Sequence, residues 1–99
     1  MKKVEYLLTC LAEECAEVQQ IISKAQRFGL DNHHPKRTET NLEELKKELA
    51  HIDAVRHLLE YDAHVPVVGN AIMTMTDKIE SVRRYMDVSR DCGILEADK

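Results

Sequence analysis

Leu11-Ala12-Glu13-Glu14-Cys15-Ala16-Glu17-Val18 lies in the middle of the segment that decides the fold. Around it apolar residues recur at Val4, Leu8, Leu11, Cys15, Val18, Ile22 and Ala25. Steps of three and four held over that length predict one long helix across 2–28. Leu7 and Ile21 widen the stripe, and Gly29 follows Phe28, where a left-handed cap and an apolar return by Leu30 are expected.

Within this helix Glu14 and Glu17 are three residues apart, so they project from one face about a turn apart. Glu14 continues the row Leu7, Leu11, Val18, Ile21, which sets a carboxylate at the edge of the core. A lone buried charge there is costly unless something compensates it. Glu13 lies further round the helix, towards solvent. An acidic run also suits a plain solvated helix face, but the row of Glu14 favours a site.

After the first helix, 31–39 (Asp-Asn-His-His-Pro-Lys-Arg-Thr-Glu) reads as a loop broken by Pro35. His33, His34, Lys36 and Arg37 make it locally basic. It is either an ordinary solvated loop or a flap whose cations approach phosphates. A second helix is expected from Asn41, with Asn41 and Glu44 in a capping-box pattern. Leu42, Leu45, Leu49, Ile52, Val55, Leu58 and Leu59 carry it to about Tyr61. Glu48 and His51 lie three apart along its edge, and Glu44 stands four before Glu48 on the same side. Residues 63–69 form a connector containing Pro66. A third helix is expected over 70–90, with Ile72, Met75, Ile79, Val82, Met86 and Ser89 in alternating steps, followed by a loose tail at 94–99.

The fold class expected is therefore all-α. Three long amphipathic helices in a single domain, 1–99, have wide stripes that one small chain cannot bury. A homodimer, or a homotetramer, would complete a four-helix-type core.

The 99 residues carry a net charge of −4, no Trp and one Phe. That balance argues against a nucleic-acid polymer as partner. No apolar run reaches membrane length. Cys10, Cys15 and Cys92 have neither paired nor zinc-type spacing, which points to reduced thiols and a cytoplasmic setting.

The pairs Glu14–Glu17 and Glu48–His51 brought together would form an oxygen-rich pocket for a divalent ion. The chain here resembles the MazG-like, all-α nucleoside triphosphate pyrophosphohydrolases, in particular their small phage-type single-domain members. The family pattern is E-x-x-E on one helix and E-x-x-D on the next. Glu14-Cys15-Ala16-Glu17 matches the first half, and Ile22-Ser23-Lys24-Ala25-Gln26-Arg27-Phe28-Gly29, Asn41 and the stretch from Lys78 to Gly93 are also similar. The second half departs from the pattern: Glu48-Leu49-Ala50-His51 ends in His where the family has Asp. Asp53 does not substitute, because it points about 140° away from Glu48 on a regular helix.

The resemblance implies hydrolysis of a nucleoside triphosphate to the monophosphate and pyrophosphate. It implies Mg2+ held by Glu14, Glu17, Glu48 and position 51. His51 at that position suits Mn2+ as an alternative ion. Glu13 or Glu14 would be the base for water. Lys24, two turns beyond Glu17 on the same face, Arg27 and Lys78 are candidate phosphate or substrate contacts. The competing expectation is a non-catalytic nucleotide- or metal-binding helical dimer, weakened by His51.

Overall fold

A computed structural model describes residues 1–67, 69 and 71–98. The chain is all-helical: α1 (Lys3–Phe28), α2 (Asn41–Tyr61) and α3 (Ile72–Asp91), with no strand among the described residues. It divides into two compact units, Met1–Val68 and Gly69–Lys99. None of the helices is long and apolar enough to cross a membrane, among the described residues.

In the first unit α1 and α2 pack as an antiparallel hairpin. The side-chain pairs fix the direction: Glu14 meets His51, while Lys24, further along α1, meets Glu44, earlier in α2. Leu7, Ile21 and Leu59 are the buried hydrophobic residues, Leu59 completely so. Leu7 and Ile21 are the ends of the row that contains Glu14, so that row does face the partner helix.

The packed edge of α2 differs from its apolar stripe. Leu49 and Leu58 remain exposed, whereas Asn41 and Glu44 are buried. Polar residues therefore carry the first turns of α2 against α1, and hydrogen bonds and ion pairs must offset their desolvation.

The turn between the helices shows how. Gly29 ends α1 with φ 96° and ψ 152°. Its φ is positive, as expected, but its ψ is extended, so the cap is not left-handed. The chain runs straight out and is stitched to α2 instead. Leu42 N–H donates to Leu30 O at 2.9 Å, Asn41 N–H to Asn32 O at 2.8 Å, and Asn41 Nδ2 to Gly29 O at 2.9 Å.

The N-terminus of α2 corrects another expectation. The cap is Thr40, whose hydroxyl accepts Glu43 N–H at 3.1 Å, with Glu43 reaching back to Thr40 N–H at 3.4 Å. The capping box thus sits one residue before Asn41 and Glu44. Those two side chains are committed to Gly29 and to cations, so they cannot cap.

After α2, Val65 N–H bonds to Leu59 O at 2.9 Å, and His64 takes φ 58°. Val68 and Asn70, within the expected connector and at the expected start of the third helix, lie outside the described residues; α3 begins at Ile72. In the second unit Arg90 pairs with Asp87 and Asp98 and donates to Glu96 O at 3.3 Å, which ties the end of the chain to α3. Ile72, Met75, Ile79, Val82 and Met86 form an exposed row along α3.

Candidate metal centre

The hairpin brings the two acidic edges together halfway along α1. One donor atom each from Glu14, Glu48 and His51 lies within 4.8 Å of the others. His51 Nδ1 stands 3.2 Å from Glu48 Oε2 and 3.5 Å from Glu14 Oε2. The side chain of Glu48 is only 12% exposed, that of Glu14 22%, and that of His51 47%. The imidazole therefore forms the open, solvent-facing side of the group.

Glu14 Oε2 is buried and has no hydrogen-bond partner among the described residues. A carboxylate oxygen withdrawn from water and left without a donor is costly, on the order of 1–3 kcal/mol or more for a charged group. A proton or a cation satisfies it.

Glu48 shows the same tension. Its carboxyl is held above the ordinary value of 4.5, first through a shared hydrogen bond with Glu14, then by burial, then by a hydrogen bond with Glu17. His51 works in the opposite direction. The neighbours of Glu48 that raise it are acids, which is the situation a divalent ion relieves by taking up their charge.

The structure thus brings Glu14, Glu48 and His51 into one group. Glu17, expected as a ligand, is exposed on α1 and outside this group, although it raises the pKa of Glu48 and lines the adjoining cavity. Glu13 is exposed and outside the group. Asp53 pairs with Arg56 at 3.1 Å, away from the pair on its own helix.

Next to the acids opens a polar cavity of about 260 Å3, lined by Glu17, Lys24, Arg37, Lys47 and Glu48 among others. Lys24 Nζ lies 4.0 Å and Arg37 Nη1 3.0 Å from the carboxylate of buried Glu44. Lys47 pairs with Glu39 at 2.9 Å, which raises the pKa of its ammonium. Three cations thus stand beside the acidic group. The helical spacing points to Lys24 and the basic 31–39 loop to Arg37, whereas nothing in the sequence marks Lys47.

Arg27 stacks its guanidinium 5.3 Å from the centroid of the Phe28 ring. It lines a second cavity together with Lys24 and Glu44. Lys78 belongs to the second unit, where it lines a cleft of α3 with Met75, Ile79 and Val82.

Comparison of the chain with protein-family models, with curated proteins and with solved structures finds no match in any of the three.

Proposed function

We propose that the chain is a metal-dependent hydrolase that cleaves a ribo- or deoxyribonucleoside triphosphate to the monophosphate and pyrophosphate. The observation that carries this reading is the convergence of Glu14, Glu48 and His51 beside a cavity lined by Lys24, Arg37 and Lys47 together with Glu44 and Glu39, the acids they pair with. Acids that need a cation adjoin cations that suit a polyphosphate. The resemblance of Glu14-Cys15-Ala16-Glu17 and its partner pair to the MazG-like pattern supports the same chemistry.

Glu14 and Glu48 fit a divalent ion as oxygen donors, and the unsatisfied Oε2 of Glu14 is where such an ion compensates burial. Glu17, which lines the cavity beside Glu48, would supply a further oxygen there. His51 adds one nitrogen, which suits Mn2+ better than Mg2+. A bound divalent ion would supply charge for the triphosphate oxygens and acidify a water molecule. Lys24, Arg37 and Lys47 orient the phosphates. A carboxylate takes the proton of water as its oxygen bonds to phosphorus and the bridge between the α- and β-phosphates breaks. Pyrophosphate leaves with the electron pair of that bridge. Glu14, within the group, is better placed for this proton than exposed Glu13.

One observation favours a second reading, a non-catalytic nucleotide- or metal-binding protein. His51 Nδ1 lies within reach of both Glu48 and Glu14. A protonated imidazole there would neutralise the acids from within and compete with a metal for the same position.

Two copies of the chain would complete a four-helix core. The hairpin leaves Leu8, Ile22, Leu49 and Leu58 exposed, and α3 adds its own apolar row. A dimer or tetramer would cover them.

Pyrophosphate release over a panel of ribo- and deoxyribonucleoside triphosphates, with Mg2+ and then Mn2+, tests the enzyme reading. Turnover with either ion is expected. No turnover with both, while the helices remain intact by circular dichroism, would overturn it.

A further inference from the structure

We propose that the second cavity of the hairpin is a nucleoside subsite, which takes the base and sugar of the triphosphate whose phosphates occupy the polar cavity. This rests on the triphosphate reading above. The second cavity measures about 580 Å3, within the roughly 300–1,000 Å3 usual for small-molecule sites. Phe28, His33, His34, Pro35 and Asn41 line it. Lys24 and Glu44 line both cavities, so the two adjoin across that ion pair. A ligand spanning them is charged at one end and flat and weakly polar at the other, as a nucleotide is.

The lining suits a base. Phe28 is the sole Phe of the chain and is 60% exposed at the end of α1. Arg27 adds a planar cation at its ring, and rings and guanidinium planes both stack on bases. The two histidines are oriented by backbone contacts that fix complementary tautomers. His33 Nδ1 lies 2.8 Å from His34 O, so it must donate, which leaves Nε2 of the neutral ring as an acceptor. His34 Nδ1 accepts Lys36 N–H at 3.1 Å, so its ring proton sits on Nε2, a donor. Neighbouring residues thus offer one acceptor and one donor, the combination that reads the edge of a nucleobase.

The floor of the cavity is held. Asn41 is buried, and its amide is bonded to Gly29 O. Glu44, also buried, carries Lys24 and Arg37 on one carboxylate and so fixes the junction between the phosphate end and the base end.

The test uses calorimetric titration of the full chain, in Mg2+ and in Mn2+, with two probes, inorganic tripolyphosphate and the non-hydrolysable α,β-methylene triphosphates of the four common bases. The wild type is expected to bind at least one nucleotide analogue about tenfold or more tighter than tripolyphosphate. Phe28→Ala should weaken nucleotide binding by roughly 5- to 150-fold, the span of one base stacked on an aromatic side chain, and leave tripolyphosphate unchanged. Phe28→Tyr should restore nucleotide binding. Equal affinity of the wild type for both probes, or an equal loss of both in Phe28→Ala, would overturn the nucleoside subsite while leaving the phosphate site standing. Failure of both probes to bind the wild type would overturn the triphosphate reading and this proposal with it.

Discussion

Glu48→Gln separates a metal centre from a solvated acidic edge, because it should act in opposite directions with and without metal. The acid group places the donor atoms of Glu14 and Glu48 within 4.8 Å. Two like charges at that distance repel by about 3 kcal/mol at an effective dielectric constant near 20. The His51 ring at 3.2 Å and partial solvent screening relieve much of this, so on the order of 1 kcal/mol is left for the substitution to release. Gln keeps the shape and a hydrogen-bond acceptor for His51. Without metal, Glu48→Gln should therefore raise Tm, by about 4–8 °C per kcal/mol for a chain of this size. With Mn2+ at a hundred times its Kd, the wild type gains about 2.7 kcal/mol. The variant has lost a ligand and gains much less, so the order of stability reverses. Thermal unfolding followed by circular dichroism at 222 nm, with EDTA and then with excess Mn2+, reads both arms. A variant that is no more stable than the wild type in EDTA, and that responds equally to Mn2+, would show that Glu48 belongs to a solvated acidic edge and holds no metal.

The other predictions concern the same unit. His51→Asp supplies the carboxylate of the MazG-like pattern, and Mg2+-dependent turnover is expected to rise relative to Mn2+-dependent turnover; a fall in both would give the imidazole a role of its own. Metal affinity should grow with pH. Glu48 carries a raised pKa, so the metal-free fold holds its proton above the ordinary value of 4.5, and a metal must displace it. By the same sign, metal-free stability from this group is present below 4.5 and is lost as pH rises through the folded value. Titrations of Mn2+ binding and of Tm in EDTA across pH 4–8 check the two trends, which should run in opposite directions. Gly29→Ala meets no atom within 4 Å of its new Cβ, yet φ 96° with ψ 152° is a region almost closed to other residues. A loss of about 1–3 kcal/mol in urea unfolding is expected from backbone strain alone.

Much of the hairpin is legible in the chain itself. The place of Glu14 follows from its row, because residues three and four apart must share a helix face whatever packs against it. Leu7 and Ile21 at the ends of that row are buried, and Glu14 between them is drawn into the interface. The pairing of Glu48 with His51 is local for the same reason. The cap of α2 was ambiguous, since Thr40-Asn41-Leu42-Glu43 and Asn41-Leu42-Glu43-Glu44 carry the same pattern one residue apart. Tertiary contacts decide between them by occupying Asn41 and Glu44. Gly29 behaves likewise: the residue type permits a positive φ, but its ψ is set by bonds from α2. The burial of Glu44 was least legible. Its partners Lys24 and Arg37 come from another helix and from the loop, and no periodicity connects them.

Electron paramagnetic resonance of added Mn2+ reads directly whether Glu14, Glu48 and His51 hold a divalent ion. One Mn2+ should bind per chain, with its free-ion signal lost on titration, and Glu14→Gln should abolish that binding while the helical content stays the same. An undiminished free Mn2+ signal in the wild type, or equal binding by Glu14→Gln, would contradict such a site.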